Sequence, residues 1–488
     1  MTLPATIESG SSSLQVLSVA PCFDMALGDE LVAILNLEER ASETSFVRSA
    51  ASNGILETAR DLFRVPSSVS GPLRDVLREN DPTIYMTALS TFLKYADTTL
   101  SEPLKSLFGP VGLRVMRETL RVITSPEPNS QFETLDDLLE SNGEKGRWSD
   151  YEASAKILES YGDPSHRLTH YMRAISSWNR GRRREASVDF EYVLAFGIND
   201  RVRGVAGHLL GTYLHSIGET RDAILKLEEA RALLSDLKDN YGFTVTTSTQ
   251  SRVVLDRYRS LRAPSDLADS ESLARLAVDT AVGSECTESL VRCARMKSGA
   301  YVGLANVYLQ KGDLGPAIDA ARRAGTVALP DSLDALKAAQ VLARALRDND
   351  DPFAAATVLT DAVQLFRARR RDDLRNRAIA LNILASINRS LDLQLARSNA
   401  EESLDIGESI GDSRHIAQVL LTIAQIRLGQ SDVSSFSSID LKAEYRSIKA
   451  MLFRSRDLLH KLNDVDGKRR VAEALEDVGR RQLEANYN

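Results

Sequence analysis

The chain has 488 residues, of which 43% are hydrophobic and 26% charged, and a formal net charge of −7. That length exceeds what one compact core supports, so several domains or an elongated repeat array are expected, and the composition excludes extensive disorder. The acidic balance removes any general attraction to nucleic acid or to an anionic membrane surface.

Residues 1–28 are poor in charge and carry the Ser-rich GSSSLQ, and they read as a loose leader. Leu14–Cys22 is apolar, but no Lys or Arg precedes Arg40 and Pro21 stands directly before Cys22, which argues against a signal peptide or a lipid-anchored cysteine. No run of about 18 uncharged apolar residues occurs, so no membrane span is expected and the cytoplasm is the expected location. The three cysteines, Cys22, Cys286 and Cys293, have no zinc-site spacing. Reduced buried thiols are expected, with a Cys286–Cys293 disulfide as the alternative.

Residues 29–147 read as a separate N-terminal helical region. Asp29–Glu39 and Ser45–Phe63 are expected to be helical, closed by Pro66 and SSVSG. Asp81-Pro82 marks a helix start, a capping Asp before Pro in the first turn. The helix it opens carries Ile84, Ala88, Leu89, Phe92 and Leu93 on one side, and Pro110–Ile123 carries Leu113, Met116, Leu120 and Ile123 at helical spacing. Residues 125–147 are acidic, flanked by turn residues, and expected to form a hinge with one short helix.

From residue 148 to 488 the pattern changes. In Ser298–Pro330, Tyr301, Leu304, Ala305 and Tyr308 share one helix face, Lys311-Gly312-Asp313 breaks the helix, and Ala317, Ala321 and Ala324 line the next. The same order recurs as Leu210-Gly211, Gly218, then Ala223, Leu227 and Ala230. It recurs again around Ala186, Phe190 and Val193, and around Leu342-Ala343, Ala355, Leu359 and Ala362. Weaker echoes begin at Ala274, Ala396 and Ala443. A hairpin of this kind cannot bury its apolar face alone and calls for stacked neighbours.

These residues resemble the tetratricopeptide repeat, in a long, irregular version similar to that of bacterial regulators. The fold class expected from the resemblance is all-α, a right-handed α-solenoid of such hairpins preceded by the N-terminal helical region. First small positions fall at 186, 223, 274, 317, 355, 396 and 443, steps of 37, 51, 43, 38, 41 and 47, against about 34 for the family. Longer helices or inserts must absorb the excess, and the Thr-rich Asn240–Ser251 is expected to bulge as a loop. Lys468–Ala485 reads as a terminal helix capping the stack.

No catalytic constellation appears: there is no phosphate loop, no His-Glu-x-x-His and no Gly-x-Ser-x-Gly. No enzyme activity, cofactor or metal is therefore expected. His166 and His170 have ligand spacing with no third donor nearby. The acidic groups Asp348/Asp350/Asp351 and Asp136-Asp137 read as helix capping and a solvated face. Arg180, Arg182, Arg183 and Arg184 surround one turn, and Arg367, Arg369, Arg370, Arg371, Arg375 and Arg377 crowd another junction. They read first as solvated turns and second as recognition of an acidic peptide or phosphate. Nucleic acid fits poorly, because no aromatic residues interleave them.

The resemblance implies a protein or peptide partner held in a concave groove lined by first helices. That makes Tyr301, Asn306, His208, Thr212 and Arg344 the candidate contacts, with Arg367, Arg370 and Arg371 as a basic site for an acidic peptide. Lys–Asn capture of a peptide's C-terminus, known in the family, is disfavoured. Asn306 fits one of its Asn positions, but Val302 and His208 stand where Lys is needed, and Ile175, Thr212 and Arg344 replace the other Asn. The leading expectation is a non-enzymatic scaffold or adaptor. The alternative is a ligand- or peptide-sensing regulator with its output in residues 29–147.

Overall fold

The computed structural model describes residues 11–34, 46–53, 55–59, 62–125, 134–136, 138–139, 149–161, 167–196, 199–283, 290–330, 332–369, 374–433, 438–462 and 464–487. The chain forms two compact units, Met1–Val202 and Arg203–Asn488.

The first unit contains α1 (Ser11–Leu17), α2 (Met25–Ala33), α3 (Phe46–Ser52), β1 (Glu57–Ala59), β2 (Leu62–Arg64), α4 (Ser67–Asn80), α5 (Pro82–Thr98), α6 (Ser101–Thr124), α7 (Ser149–Tyr161), α8 (Arg167–Asn179) and α9 (Arg183–Phe196). The expected loose leader is corrected. Leu14, Val16, Leu17, Val19, Ala20, Cys22 and Phe23 are buried in the core of this unit, which is why the stretch is apolar on every face. The expected helix over 45–63 is also corrected: it stops at Ser52, before Asn53-Gly54, and β1 and β2 form an antiparallel hairpin. Phe23 extends that hairpin, because its amide donates to the Phe63 carbonyl at 2.9 Å and its carbonyl accepts from Phe63 at 2.8 Å.

The α5 start is as the sequence implies. Asp81 accepts a hydrogen bond from the Ile84 amide at 3.2 Å, and Ala88, Leu89 and Phe92 are buried. We expect Asp81→Ala to destabilise this unit by about 1 kcal/mol, the usual cost of an N-cap side chain. Urea denaturation read by circular dichroism would show it, and an unchanged midpoint would refute it. In α6, Gly109 breaks the helical path at φ 71°, and Leu113, Met116 and Leu120 beyond it are buried. Most of residues 125–147 lies outside the described residues, although Leu135 and Leu139 are buried.

The expected boundary at 147/148 is not where the chain divides. The helix α7 packs on α6, with the hydroxyls of Thr119 and Ser154 3.0 Å apart in the interior, and the Tyr85 hydroxyl donates to the carbonyl of Tyr161. The first repeat hairpin, α8–α9, thus belongs to the N-terminal unit, and Gly181 makes its turn at φ 81°.

The second unit continues with α10 (Asp200–Ser216, which begins in the first), α11 (Thr220–Asp236), α12 (Asn240–Leu261), α13 (Pro264–Gly283), α14 (Leu290–Lys311), α15 (Leu314–Val327), α16 (Leu333–Asp348), α17 (Pro352–Arg369), α18 (Leu374–Asn388), α19 (Leu393–Ile410), α20 (Ser413–Val433), α21 (Ser438–Lys461) and α22 (Val465–Tyr487). Gly218 and Gly312 turn their hairpins at φ 94° and 84°, as the sequence pattern requires. Arg262 and Asp350 perform the same turn at φ 58° and 59°, so the repeat frame continues where glycine is missing. Asp351 caps α17, accepting from the Ala354 amide at 3.0 Å.

Asn240–Ser251 is not a loop. It is the first half of α12, and Thr244, Thr246, Thr247, Gln250 and Ser251 are buried there. The step of 51 residues is absorbed by the length of α12 and α13, whose Ser251 and Ser270 exchange hydroxyl-to-carbonyl hydrogen bonds at 2.8 Å. Small hydroxyls permit close approach and satisfy their own polarity, which lets a Thr/Ser-rich segment pack as a helix. The small positions lie at the hairpin cores: Ala223, Ala274, Ala317, Ala355 and Ala396 are all at most 1% exposed.

Each first helix packs on its own second helix and also on the next first helix, α12 on α14, α14 on α16, α16 on α18 and α18 on α20. Second helices make no comparable run of contacts among the described residues. First helices closer together than second helices curve the stack, and the first-helix side becomes the concave face. At the far end α22 reaches α12, with Arg262 3.9 Å from Asp466. No described helix is long and apolar enough to cross a membrane.

Candidate functional site: the polar face of the first helices

A face that served only for packing would be apolar. On the inner side of this unit the first helices instead hand polar groups from one to the next. His215 of α10 lies 3.0 Å from an Asp256 oxygen of α12, and Arg259 of α12 donates to Gln310 of α14 at 2.9 Å. Arg344 of α16 donates to the Asn306 side-chain oxygen of α14 at 3.3 Å. Arg347 of α16 meets Ser386 of α18 at 3.1 Å, and Arg389, just past the end of α18, meets Gln425 of α20 at 3.0 Å. The partners are separated by 36 to 51 residues, about one repeat, so each rung joins one first helix to the next.

Two of the residues expected from sequence, Asn306 and Arg344, are therefore brought together. Thr212 spends its hydroxyl on the His208 carbonyl of its own helix at 2.9 Å, and Tyr301 is half-buried on α14. His208 is half-buried with no hydrogen-bond partner for Nδ1. Arg370 and Arg371, with the side chain of Arg367, lie outside the described residues, so that basic site is not placed. Arg375 and Arg377, described nearby, are paired with Asp412 at 2.8 Å and with Glu402. In the first unit Arg180 pairs with Glu152, Arg182 pairs with Glu185 at 3.2 Å, and Arg183 lies over the Trp178 ring at 5.0 Å. Those clusters are stabilised internally.

The electrostatics mark the inner face. Burial, reinforced by Arg252, pushes the His208 imidazole down to about 4, so it is neutral at pH 7. Burial also lowers the Arg344 guanidinium to about 10, and Arg259 and Arg347 add to that. For Asp256, burial acts upward but is overcome by the His215 hydrogen bond and by Arg259, leaving the carboxyl at about 2. Half-exposed side chains that are nonetheless strongly desolvated are what a concave wall produces.

The signs set a pH expectation. His208 has a depressed folded pKa, so the unfolded chain binds its proton first; stability is whole above pH 6.5 and declines between 6.5 and about 4. The Asp256 contribution persists above 3.8 and is lost only toward 2. Urea midpoints at pH 7 and pH 4.5 should therefore differ, and His208→Gln should shrink the difference. An equal pH dependence in that variant would show that His208 is not responsible.

The other chemistry expected to be absent is only partly described. No group of three metal-binding side chains occurs among the described residues, but His166 lies outside them. His170 instead bonds Asp189 at 2.7 Å and stacks on Tyr192. Cys22 is a free buried thiol, whereas Cys293 is disulfide-bonded, which corrects the expectation of reduced thiols throughout. Its sequence candidate partner, Cys286, lies outside the described residues.

The hairpins share turn, small-residue core and inner-face register. The fold is tetratricopeptide-like. No protein-family model matches the chain, and no curated protein matches it either. Similar solved structures include a signal transduction ATPase with a tetratricopeptide repeat sensor from Pyrococcus horikoshii, at 12% identity over 93% of this chain and 65% of that one, TM-score 0.48. The apo quorum sensor NprR from B. thuringiensis is similar at 12% identity over 77% and 99%, TM-score 0.49. A Rap protein complexed with competence and sporulation factor is similar at 12% over 82% and 98%, TM-score 0.41. The chain spans 65% of the length of the first of these. At such identities and scores the likenesses assign no function, and the architecture rests on the hairpins themselves.

Proposed function

We propose that this protein is a non-enzymatic peptide-binding helical repeat whose ligand lies along the concave face of residues 203–488. One observation carries the reading: the polar ladder from His215 through Asp256, Arg259, Asn306 and Arg344 to Arg347 and Arg389 lines the inner face. An extended peptide has unpaired backbone amides and carbonyls, and such a face offers donors and acceptors at repeat spacing without requiring one side-chain sequence. Tyr301, Asn306, His208, Thr212 and Arg344 are the proposed contacts.

The test is retention of a random octapeptide mixture by the immobilised full chain, read by mass spectrometry. We expect a reproducible subset to be retained and Asn306→Ala to reduce it by about tenfold, as loss of a desolvated hydrogen-bonding group does. Retention of no peptide by the wild type would refute the proposal.

A second reading has one observation in its favour. The N-terminal unit has its own continuous core from Leu14 to Tyr161, which is what a separate output module of a sensing regulator would need. Peptide-dependent hydrogen-exchange changes in residues 29–147 would support it, and changes confined to residues 203–488 would leave the adaptor reading.

A further inference from the structure

The inner helices of the second unit do more than curve. Each of α12, α14, α16, α18, α20 and α22 packs on the next, and α22 packs back on α12, so these six described helices close into a ring. The closing joint is built at the start of α22. Asp464 accepts from the Gly467 amide at 2.8 Å and stands 3.7 Å from Arg414 of α20. Asp466, in the first turn, stands 3.9 Å from Arg262 at the end of α12. Gly467 lets α22 seat closely, since a Cβ there would come within 2.7 Å of Leu459 on α21.

A closed ring restricts what the inner face can bind. Six rods packed side by side in a ring surround room for about one more, roughly 10 Å across at ordinary helix spacing. One extended chain fits such an opening, and a folded domain does not. An open groove accepts any exposed segment from the side. A ring accepts a segment only end-on, unless a joint between two helices parts.

We propose that the ring of inner helices encircles its ligand, and that the ligand is a short linear peptide or the free end of an unfolded chain. A loop held at both ends within a folded protein is excluded. The inference rests on the peptide reading above, and it specifies the form in which a peptide binds.

The opening can be obstructed without disturbing the packing. Gly299 and Gly303 stand mid-way along α14, seven and three residues before Asn306, and so on the face that Asn306 turns toward Arg344. A Cβ on either would meet nothing within 4 Å. Gly211 of α10 is different, because a Cβ there would lie 2.8 Å from Leu227. Leu is also the better helix former, so Gly303→Leu fills the inside of the ring at no expected loss of fold. Gly325, equally open but on the second helix α15, is the control position.

The test presents one random octapeptide mixture to the immobilised full chain in three forms. The first is free, the second is fused at one end to a small folded carrier, and the third is fused at both ends. Flexible linkers of about 20 residues keep the carriers clear of the ring. Wild type should retain the free form and reject the doubly fused one. Retention of the singly fused form would identify chain ends as ligands, its rejection would identify free peptides, and both support the proposal. Gly303→Leu should cut retention of the free form by about tenfold, as a built-in clash does, while melting no lower than wild type. Gly325→Leu should change neither. Equal retention of the free and doubly fused forms would overturn the ring and leave the peptide groove standing. Full retention by Gly303→Leu, or an equal loss in Gly325→Leu, would equally overturn it. Failure of wild type to retain any form would sink the peptide reading itself, and the ring's role with it.

Discussion

Replacing Phe23 by Ala is expected to destabilise the N-terminal unit by about 4 kcal/mol, the middle of the range for an aromatic truncated in a core. The ring is fully buried, 6.2 Å centroid to centroid from Phe63, and lies against Gly28, where an added Cβ would already come within 3.0 Å of it. Both tryptophans of the chain, Trp148 and Trp178, belong to the N-terminal unit, so tryptophan fluorescence during urea unfolding reports on it alone. A midpoint within error of wild type would mean that the segment 11–23 is dispensable to the core.

The same residue explains what the sequence displays and what it conceals. A low-charge, serine-rich start has the composition of a leader. Its apolar run has no period because it is buried on several sides, by α4 and α5 and by the hairpin. Periodicity reports one-sided burial only. The repeat hairpins are the opposite case. Ala186, Ala223, Ala317 and Ala355 recur with a Gly turn or its substitute, and each is fully buried. The architecture from residue 148 onward could be read because identical packing problems recur along it.

The candidate site was half legible for a related reason. Asn306 and Arg344 stand in units whose frame is clear, and the structure joins them. Arg252, Asp256 and Arg259 stand in the unit whose turn is made by Arg262 in place of Gly and whose helix begins with a Thr-rich run. With Asn240–Ser251 taken as a loop, the next residues had no face to be assigned to. Threonine and serine are weak helix formers in isolation. Here Thr244, Thr246, Thr247 and Ser251 are buried, and tertiary packing overrides that preference. The seven-residue interval from the small member of the Leu-small pair to the turn, carried through that unit, puts Val254 in the place of Leu210 and Leu255 in the place of Gly211. Arg252, Asp256 and Arg259 then line up one or two turns around that pair.

Gly211→Val should disrupt the first hairpin of the second unit by about 3 kcal/mol, the upper end of overpacking costs. Gly211 is the small member of the Leu-small pair, and a Cβ built on it would lie 2.8 Å from Leu227 Cγ and 3.1 Å from the Ala223 carbonyl oxygen. Leu227 could rotate away, but the carbonyl is helix backbone and cannot. A branched side chain must therefore push α11 off α10, and α11 carries Ala223, Leu227 and Ala230 into the same core. Gly211→Ala separates the two contributions, because it brings the same Cβ contacts with Leu227 and the Ala223 carbonyl but none of the γ-methyls, and the corresponding positions in later hairpins are already Ala305 and Ala343, both fully buried. The Ala variant should cost about 1 kcal/mol, set by one side chain shifting rotamer against a gain in helix propensity. Hydrogen exchange resolved by peptide is the appropriate readout. Protection should fall in α10 and α11 far more for Val than for Ala, while α18 to α21 change little, since repeat stability passes chiefly between neighbours. His215 rides on α10, so the Val variant should also weaken its bond to Asp256 and with it the rung between the first two inner helices. Equal protection in the Val and Ala variants would mean that the helices are not in contact at Gly211, and that the small residue there is not what sets their separation.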